Sequence, residues 1–226
     1  MKETHKTIKL QIAPIKFVFS QIKISFVHMR LKFTLLLSFI IFHKLAILGK
    51  TIYEEGYIVT LKNDTIYGKI ADRKDGTFPK ILKKIRFKTK GSMYAKKYSA
   101  NQIKGYKVGK RIYDSISIRA ENKLFEIRYK VEATSQKTFL RVVAKGELSY
   151  YHWEHTDFEF HTIDYIPLFH LIGRNEMVRV TQGVFGLKRK NLSEYFSKCS
   201  ELSKSIENKE IKTAEDIIVK YYLLCK

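Results

Sequence analysis

The chain has 226 residues, of which 45% are hydrophobic and 13% aromatic, and it contains 11 glycines and 3 prolines. This composition excludes a disordered chain and a collagen-like repeat, and it provides enough apolar side chains for the core of one domain. The two cysteines are too few for a disulfide-rich scaffold or for a cysteine-based zinc site. The formal net charge of +21 is unevenly distributed, because residues 62–111 carry +13 and residues 112–226 only +2.

The apolar stretch at residues 33–42 predicts an export signal. A short basic segment, residues 29–32, precedes these ten uncharged residues, and His43 and Lys44 end the run. This is the layout of a secretory signal peptide, whereas a membrane-spanning helix needs about 20 apolar residues. We therefore assign residues 29–49 to a signal peptide, which predicts a secreted or periplasmic protein without a permanent membrane span after cleavage.

Residues 1–28 precede this predicted signal and show neither a helical nor a strand period. We interpret them as sequence upstream of a physiological start at Met29. The alternative is a disordered or amphipathic leader.

Two alternating β-prone runs, residues 56–62 and 65–70, flank Asn63 and Asp64. Asparagine and aspartate tolerate positive φ, so this arrangement predicts a β-hairpin with a short turn. The charged residues at 72–76 predict a second turn directly after it.

Short β-prone runs with polar breaks continue along most of the chain. They lie near residues 81–87, 93–98, 103–108, 112–118, 123–131, 138–144, 147–153, 157–163 and 176–181. In the first of these runs, Ile81, Ile85 and Phe87 alternate with lysines and an arginine, which predicts one buried and one solvated face. No strand–helix repeat points to a parallel sheet. The pattern predicts a mainly β (α+β) fold, with an antiparallel curved sheet or sandwich.

Two helices are predicted at the C-terminal end. Asn191 and Glu194 have capping-box spacing before an apolar helical period that extends to Ile206, and Thr213 and Asp216 have the same spacing before a second helix. Both helices are too short to be stable alone, so we expect their apolar sides to pack on the sheet or on each other. The predicted organisation is a leader at 1–28, a signal peptide at 29–49, a β-rich domain at 50–186 and a helical tail at 187–226 packed on the same domain.

Cys199 and Cys225 lie on the apolar sides of these predicted helices. In an oxidising compartment, a bridge between them would stabilise the fold by about 3 kcal/mol through the chain entropy of the unfolded state. The alternative is a pair of reduced, buried cysteines that act as small apolar side chains.

The segment 56–70, GYIVTLKNDTIYGKI, resembles the opening of an uncharacterised family of exported proteins common in Bacteroidota, whose mature chains begin with a similar hairpin. Residues 99–106 and 143–151 are similar to two further landmarks of that family, and the closing helix also fits. The resemblance covers about residues 52–225. It implies an envelope location and a β-rich fold with a helical end, and it supplies no catalytic or binding residue.

His155, Asp157, Glu159 and His161 share strand parity, so an uninterrupted strand would place two imidazoles and two carboxylates on one face. Such a set suits zinc or another divalent ion. A hairpin turn at residues 155–157 would break the parity and leave a solvated polar strand. We favour the turn, and we predict neither a metal site nor a cofactor.

Motifs of nucleophilic, metal-dependent and nucleotide chemistry are absent from the sequence, which has no G-x-S-x-G elbow, no H-E-x-x-H helix and no P-loop. We name no catalytic residue. The alternative is an active site assembled from residues that are distant in sequence. Under that alternative the protein is an exported enzyme acting on a cell-surface polymer, with residues 152–161 as the candidate segment.

The basic stretch with interleaved tyrosines is the main binding candidate, and its central residues are Lys83, Lys84, Arg86, Lys88, Lys96 and Lys97. For an exported protein the available polyanions are anionic lipid, lipopolysaccharide and acidic glycan. For a cytoplasmic protein the polyanion would be single-stranded nucleic acid, which we consider the weaker interpretation. A merely solvated lysine face is the other alternative. We expect an exported envelope protein, a binding or structural module with a basic face for anionic surfaces.

Overall fold

The computed structural model describes residues 51–73, 84–123, 126–156 and 163–225. The predicted leader and signal peptide, residues 1–28 and 29–49, lie outside the described residues. The described chain is mainly β, as predicted, with an antiparallel sheet followed by three helices.

Eleven strands and three helices make up this part of the chain. The strands are β1 (Glu54–Thr60), β2 (Thr65–Ala71), β3 (Lys84–Thr89), β4 (Lys96–Ser99), β5 (Ile103–Val108), β6 (Arg111–Lys123), β7 (Glu126–Val131), β8 (Lys137–Ala144), β9 (Leu148–Thr156), β10 (Ile163–Leu171) and β11 (Glu176–Arg179). The helices are α1 (Arg189–Tyr195), α2 (Ser200–Glu207) and α3 (Ala214–Leu224), and a 3-10 turn, Gly183–Phe185, precedes them.

The predicted first hairpin is confirmed. β1 and β2 are antiparallel neighbours with Ile58 opposite Ile66. Asn63 has a φ of 75°, in the left-handed region that asparagine tolerates. The loop has four residues rather than the predicted two, because the Thr60 hydroxyl accepts a 3.2 Å hydrogen bond from the Asp64 amide and closes a wider turn.

The sheet consists of a closed ring and an extension. The strand order is β4-β3-β2-β1-β5-β6-β7-β11-β10-β9-β8, and β8 also pairs with β6. Strands β6 to β11 therefore close into a ring, and we call β1 to β5 the extension. The long strand β6 joins the two, since its first half pairs with β5 and β8 and its second half with β7.

Each part of the sheet has its own apolar cluster. The interior of the ring takes one buried side chain from each of its strands: Ile118, Tyr129, Leu140, Tyr151, Leu168 and Met177. The cluster of the extension contains Ile58, Ile70, Ile85, Phe87, Ile103, Tyr106 and Val108, with Tyr113 and Phe139 from the ring strands. The predicted alternation in β3 is thus confirmed for Ile85 and Phe87, which are buried while their neighbours face outward.

A strand was expected near residues 157–163, of which residues 157–162 lie outside the described residues. The structure has a strand that the sequence pattern did not predict, β10 at Ile163–Leu171, which pairs with β9 along its length. Proline donates no ladder hydrogen bond and is rare inside strands, so Pro167 argued against a strand at this position. Its carbonyl is nevertheless used, since it accepts from the Val180 amide at 2.9 Å.

The C-terminal segment forms three helices, and the prediction of one continuous helix over 191–206 is wrong. The chain leaves the helix at Phe196, and the Cys199 amide donates to the Phe196 carbonyl at 2.8 Å in a tighter turn. Asn191 lies inside α1, which begins after Lys188. At this break the Phe196 ring packs in the core, and Cys199 is bonded to Cys225.

The predicted start of the last helix is confirmed at atomic detail. The Thr213 hydroxyl accepts from the Asp216 amide, and the Asp216 carboxylate accepts from the Thr213 amide, both at 3.1 Å. This capping box orders the first turn of α3 and places Ile217 and Tyr221 in the core.

The helices cover one side of the ring. Their buried side chains, among them Leu192, Phe196, Leu202 and Ile217, pack in one cluster with Phe169 and other residues of β9 to β11. The helical tail therefore shares a core with the sheet. Among the described ranges, no helix combines the length and the apolar character that crossing a bilayer would require.

Candidate anion-binding surface

Basic side chains line the outer face of the extension. Because Ile85 and Phe87 point into the core, the alternate residues of β3 point away from it. Lys88 lies opposite Lys69 of β2, and Arg86 lies opposite Lys97 of β4. We call this surface the basic face and define it by Lys69, Lys84, Arg86, Lys88, Lys97 and Lys107.

The two cross-strand pairs on the basic face, Lys69 with Lys88 and Arg86 with Lys97, place like charges directly opposite each other. Such pairs destabilise a sheet by a few tenths of a kcal/mol up to about 1 kcal/mol each. Bound anions would remove this repulsion, so the arrangement favours a ligand with several negative charges.

Neighbouring side chains position these cations. The Lys69 Nζ is 3.3 Å from the Glu55 carboxylate, and both groups are exposed. The Lys88 Nζ lies 4.9 Å from the centroid of the Tyr53 ring. The Arg86 guanidinium donates to the Thr51 hydroxyl at 3.1 Å.

Tyrosines lie beside the cations on the same face. Tyr57 of β1 is opposite Lys107 of β5 and opposite Tyr67 of β2. The Tyr57 and Tyr67 rings make an edge-to-face contact with 5.7 Å between centroids. The face therefore combines positive charge with aromatic rings that also carry a hydroxyl.

The predicted basic residues fall into three groups. Lys84, Arg86, Lys88 and Lys97 lie together on the basic face. Lys96 is opposite Phe87 and so lies on the other side of the hairpin, where its Nζ is 5.3 Å from the Tyr98 centroid. Lys83 lies outside the described residues.

The aromatic residues interleaved with these cations in the sequence are mostly internal. Phe87 and Tyr106 are buried in the cluster of the extension, and Tyr98 is half-buried against it. Tyr94 is exposed. The tyrosines of the basic face come instead from β1 and β2, which sequence proximity did not indicate.

The candidate metal ligands are only partly described. His155 is on β9, opposite Asp164 of β10, with 3.9 Å between Nε2 and the carboxylate, and both side chains are largely exposed. Asp157, Glu159 and His161 lie outside the described residues. Within the described ranges, no three histidine, cysteine or acidic side chains converge on a common point.

Cys199 and Cys225 are joined by a disulfide in the structure. The bridge connects the turn between α1 and α2 to the end of α3, and it borders the core shared by the helices and the sheet.

A buried polar cluster lies at the end of β2, at residues predicted to form a turn. Asp72 and Arg73 are not exposed there: the Asp72 carboxylate is fully buried and the Arg73 side chain is 14% exposed. The Tyr106 hydroxyl donates to Asp72 at 2.7 Å, and the Arg73 Nε donates to that hydroxyl at 3.2 Å. The chain leaves β2 at these residues, as the predicted turn requires, but both side chains are buried, and residues 74–76 of that turn lie outside the described residues.

The Arg73 guanidinium connects the extension to the ring. It donates to the Phe139 carbonyl of β8 at 3.4 Å and to the Glu154 carboxylate of β9 at 3.5 Å. It also lies over the Tyr113 and Phe139 rings, 5.1 and 5.3 Å from their centroids. One side chain thus contacts strands from both parts of the sheet.

Ionisation in this cluster follows from burial and from the neighbouring charges. Burial raises the pKa values of Tyr106 and Tyr113 well above that of an ordinary tyrosine. Burial alone would lower the pKa of Arg73, but Tyr106 and Asp72 raise it above its ordinary value. The arginine therefore stays charged and the phenols stay neutral, as expected for a structural cluster.

A small cleft of about 110 Å³ lies between β7, β11 and α1 and is lined in part by Arg128, Arg174 and Arg179. The Arg174 guanidinium lies 4.5 Å from the Tyr195 centroid, and Arg179 donates to the Thr181 carbonyl at 2.8 Å. Glu176 and Glu194 also line this small cleft and oppose an anion there, so the basic face is the stronger candidate for binding anions.

Comparisons with models of known protein families, with curated proteins and with solved structures find no match. The resemblance of the first hairpin to exported proteins of Bacteroidota therefore stays a prediction.

Proposed function

We propose that the protein is exported to the cell envelope and binds anionic surfaces through its basic face. The observation that carries this proposal is the pair of like-charged contacts, Lys69 opposite Lys88 and Arg86 opposite Lys97, on one side of three adjacent strands. No catalytic group is assigned, and the proposed activity is binding.

The magnitude of the interaction is set by the number of cations that reach the same surface. Each lysine or arginine near an anionic membrane contributes about 1 kcal/mol, and the contributions decrease as salt screens them. Six cations on one face are therefore enough for reversible binding at moderate ionic strength. The Glu55 carboxylate beside Lys69 reduces the total.

Export is supported by the apolar run at residues 33–42 and by the first-hairpin resemblance. The bridge between Cys199 and Cys225 also supports it, because disulfides persist mainly in oxidising compartments.

The basic face is tested by the double variant Lys84→Glu/Lys97→Glu. Both lysines are exposed and lie on β3 and β4, so we expect the fold to be retained. Retention on immobilised heparin should fall to a clearly lower salt concentration, because two favourable charges become repulsive. Elution in a salt gradient measures this.

The matched control is Lys198→Glu/Lys212→Glu, which changes the net charge equally at two exposed positions of the helical tail. It should elute close to the unmodified chain. Equal losses in both double variants would mean that total charge, and not the basic face, governs retention, and the proposal would be wrong.

The export step is tested in the native host. We expect the envelope fraction to contain a chain without residues 29–49, because a signal peptide is removed after translocation. A Leu36→Arg variant, which interrupts the apolar run, should accumulate uncleaved. Mass spectrometry of the N-terminal peptide measures both outcomes, and a cytoplasmic pool of the unmodified chain that retains residues 33–42 would contradict export.

A further inference from the structure

Two adjacent apolar side chains project from the turn between β3 and β4. Met93 is 83% exposed and Tyr94 is 86% exposed, although both are large side chains that proteins usually cover. We call these two residues the hairpin tip. The tip belongs to the same hairpin that contributes Lys84, Arg86, Lys88 and Lys97 to the basic face.

The turn itself is held by hydrogen bonds. Gly91 has a φ of 82°, which allows the chain to reverse, and the Ser92 amide donates to the Thr89 carbonyl at 3.1 Å. The Ser92 hydroxyl donates to the Tyr94 carbonyl at 3.0 Å and lies 3.2 Å from the Tyr94 amide, from which it accepts. The exposure of the tip therefore belongs to an ordered turn.

Cations surround the hairpin tip on both strands. Lys88 and Lys90 precede it, Lys96 and Lys97 follow it, and no acidic residue occurs between positions 84 and 99. An apolar end bounded by lysines matches the chemistry of an anionic bilayer, where apolar groups enter the headgroup boundary and ammonium groups remain at the phosphates. Tyrosine is suited to this boundary because its ring is apolar and its hydroxyl is polar.

We propose that the hairpin tip inserts into the headgroup region of an anionic lipid bilayer while the basic face lies against the lipid phosphates. This inference rests on the proposed function and narrows the anionic surface to a bilayer. A soluble polyanion would neutralise the basic face, but it would bury neither Met93 nor Tyr94. Insertion of the tip therefore distinguishes a bilayer from acidic glycan or nucleic acid.

A second exposed pair provides the matched control. Val184 is 96% exposed and Phe185 is 80% exposed, in the 3-10 turn between β11 and α1. Like the hairpin tip, this pair combines an aliphatic and an aromatic side chain that are both at least 80% exposed, but it lies outside the β3–β4 hairpin and the basic face. If exposure alone caused insertion, both pairs would insert.

The test uses full-length chains with Tyr94→Trp or Phe185→Trp and vesicles of phosphatidylcholine with phosphatidylglycerol in equal parts. The one natural tryptophan, Trp153, contributes the same background to both. Any contribution of residues 33–42 is likewise common to both. We expect the emission of the Tyr94→Trp chain to shift to shorter wavelength with these vesicles and not with pure phosphatidylcholine, whereas the Phe185→Trp chain should show no shift.

A second variant separates this inference from the proposed function. Met93→Ser/Tyr94→Ser should bind the anionic vesicles about tenfold or more weakly, because apolar burial is lost, and should keep its retention on heparin. The matched variant Val184→Ser/Phe185→Ser should leave both unchanged.

Two results would overturn the inference. If the Tyr94→Trp chain binds the vesicles without a spectral shift, or if the two serine variants lose affinity equally, the tip does not insert and the basic face alone binds. If the unmodified chain binds neither heparin nor anionic vesicles, the proposed function itself is wrong, and this inference fails with it.

Discussion

Replacing Arg73 by methionine is expected to lower the free energy of unfolding by about 3–5 kcal/mol, the usual range when one partner of a buried ion pair is removed. Methionine keeps much of the side-chain volume. However, it removes the guanidinium beside the buried Asp72 and Glu154 carboxylates and its hydrogen bond with Tyr106. The Arg111 guanidinium, 3.6 Å from Asp72, remains and places the expected loss at the lower end of this range. Urea denaturation followed by circular dichroism measures the loss.

Arg119→Met is the matched control for this experiment. Arg119 is on β6, its side chain is 56% exposed, and its guanidinium lies 3.5 Å from the Glu132 carboxylate. Exposed pairs of this kind contribute about 1 kcal/mol or less. If the two variants were equally stable, the buried cluster would not be holding the extension on the ring, and its assignment as a structural cluster would be wrong.

Loss of the Cys199–Cys225 bridge is expected to lower the free energy of unfolding by about 3.5 kcal/mol for a closed loop of this length. The two cysteines are 26 positions apart, so the bridge removes many conformations from the unfolded chain. The variant Cys199→Ser/Cys225→Ser should unfold at a correspondingly lower urea concentration, and the unmodified chain treated with a reductant should behave similarly.

A thiol titration provides the independent measurement for the bridge. Protein isolated from the native host and unfolded without reductant should present no free thiol, because neither cysteine is free in the described chain. Two free thiols per chain would contradict the bridge, and with it the argument from the cysteines for an oxidising compartment.

Local sequence patterns predicted the elements whose structure depends on neighbours in the chain. The alternation around Ile85 and Phe87 identified β3, and the spacing of Thr213 and Asp216 identified the start of α3. In both cases the deciding contacts lie within a few residues, so a single sequence contains the necessary information.

Features that depend on distant contacts were not predictable in the same way. The turn at Asp72 and Arg73 was predicted, but the burial of their side chains was not, because partners remote in sequence, among them Tyr106 and Glu154, make that burial favourable. The break after α1 is similar, since Phe196 keeps the helical period while its ring packs on Phe169 of β10.

The basic segment of the candidate site was predictable from the sequence, but which of its side chains share one surface was not. Charge counting located the basic strand, but the register decides which cations share a face: Lys97 joins Arg86, whereas its neighbour Lys96 faces the other side opposite Phe87. The tyrosines of the basic face come from β1 and β2, and pairing between strands brings them beside the lysines.

The position of β4 has a consequence for how copies of the chain meet. In the part of the chain that the structure describes, β4 is at the margin of the sheet and has β3 as its neighbour. The backbone N–H and C=O groups on the outer side of an edge strand can pair with a strand of another molecule, which is a common origin of aggregation. Lys96 and Lys97 oppose this, because two identical margins would bring four positive charges together. The same lysines would thus protect the molecule from self-association wherever it is concentrated.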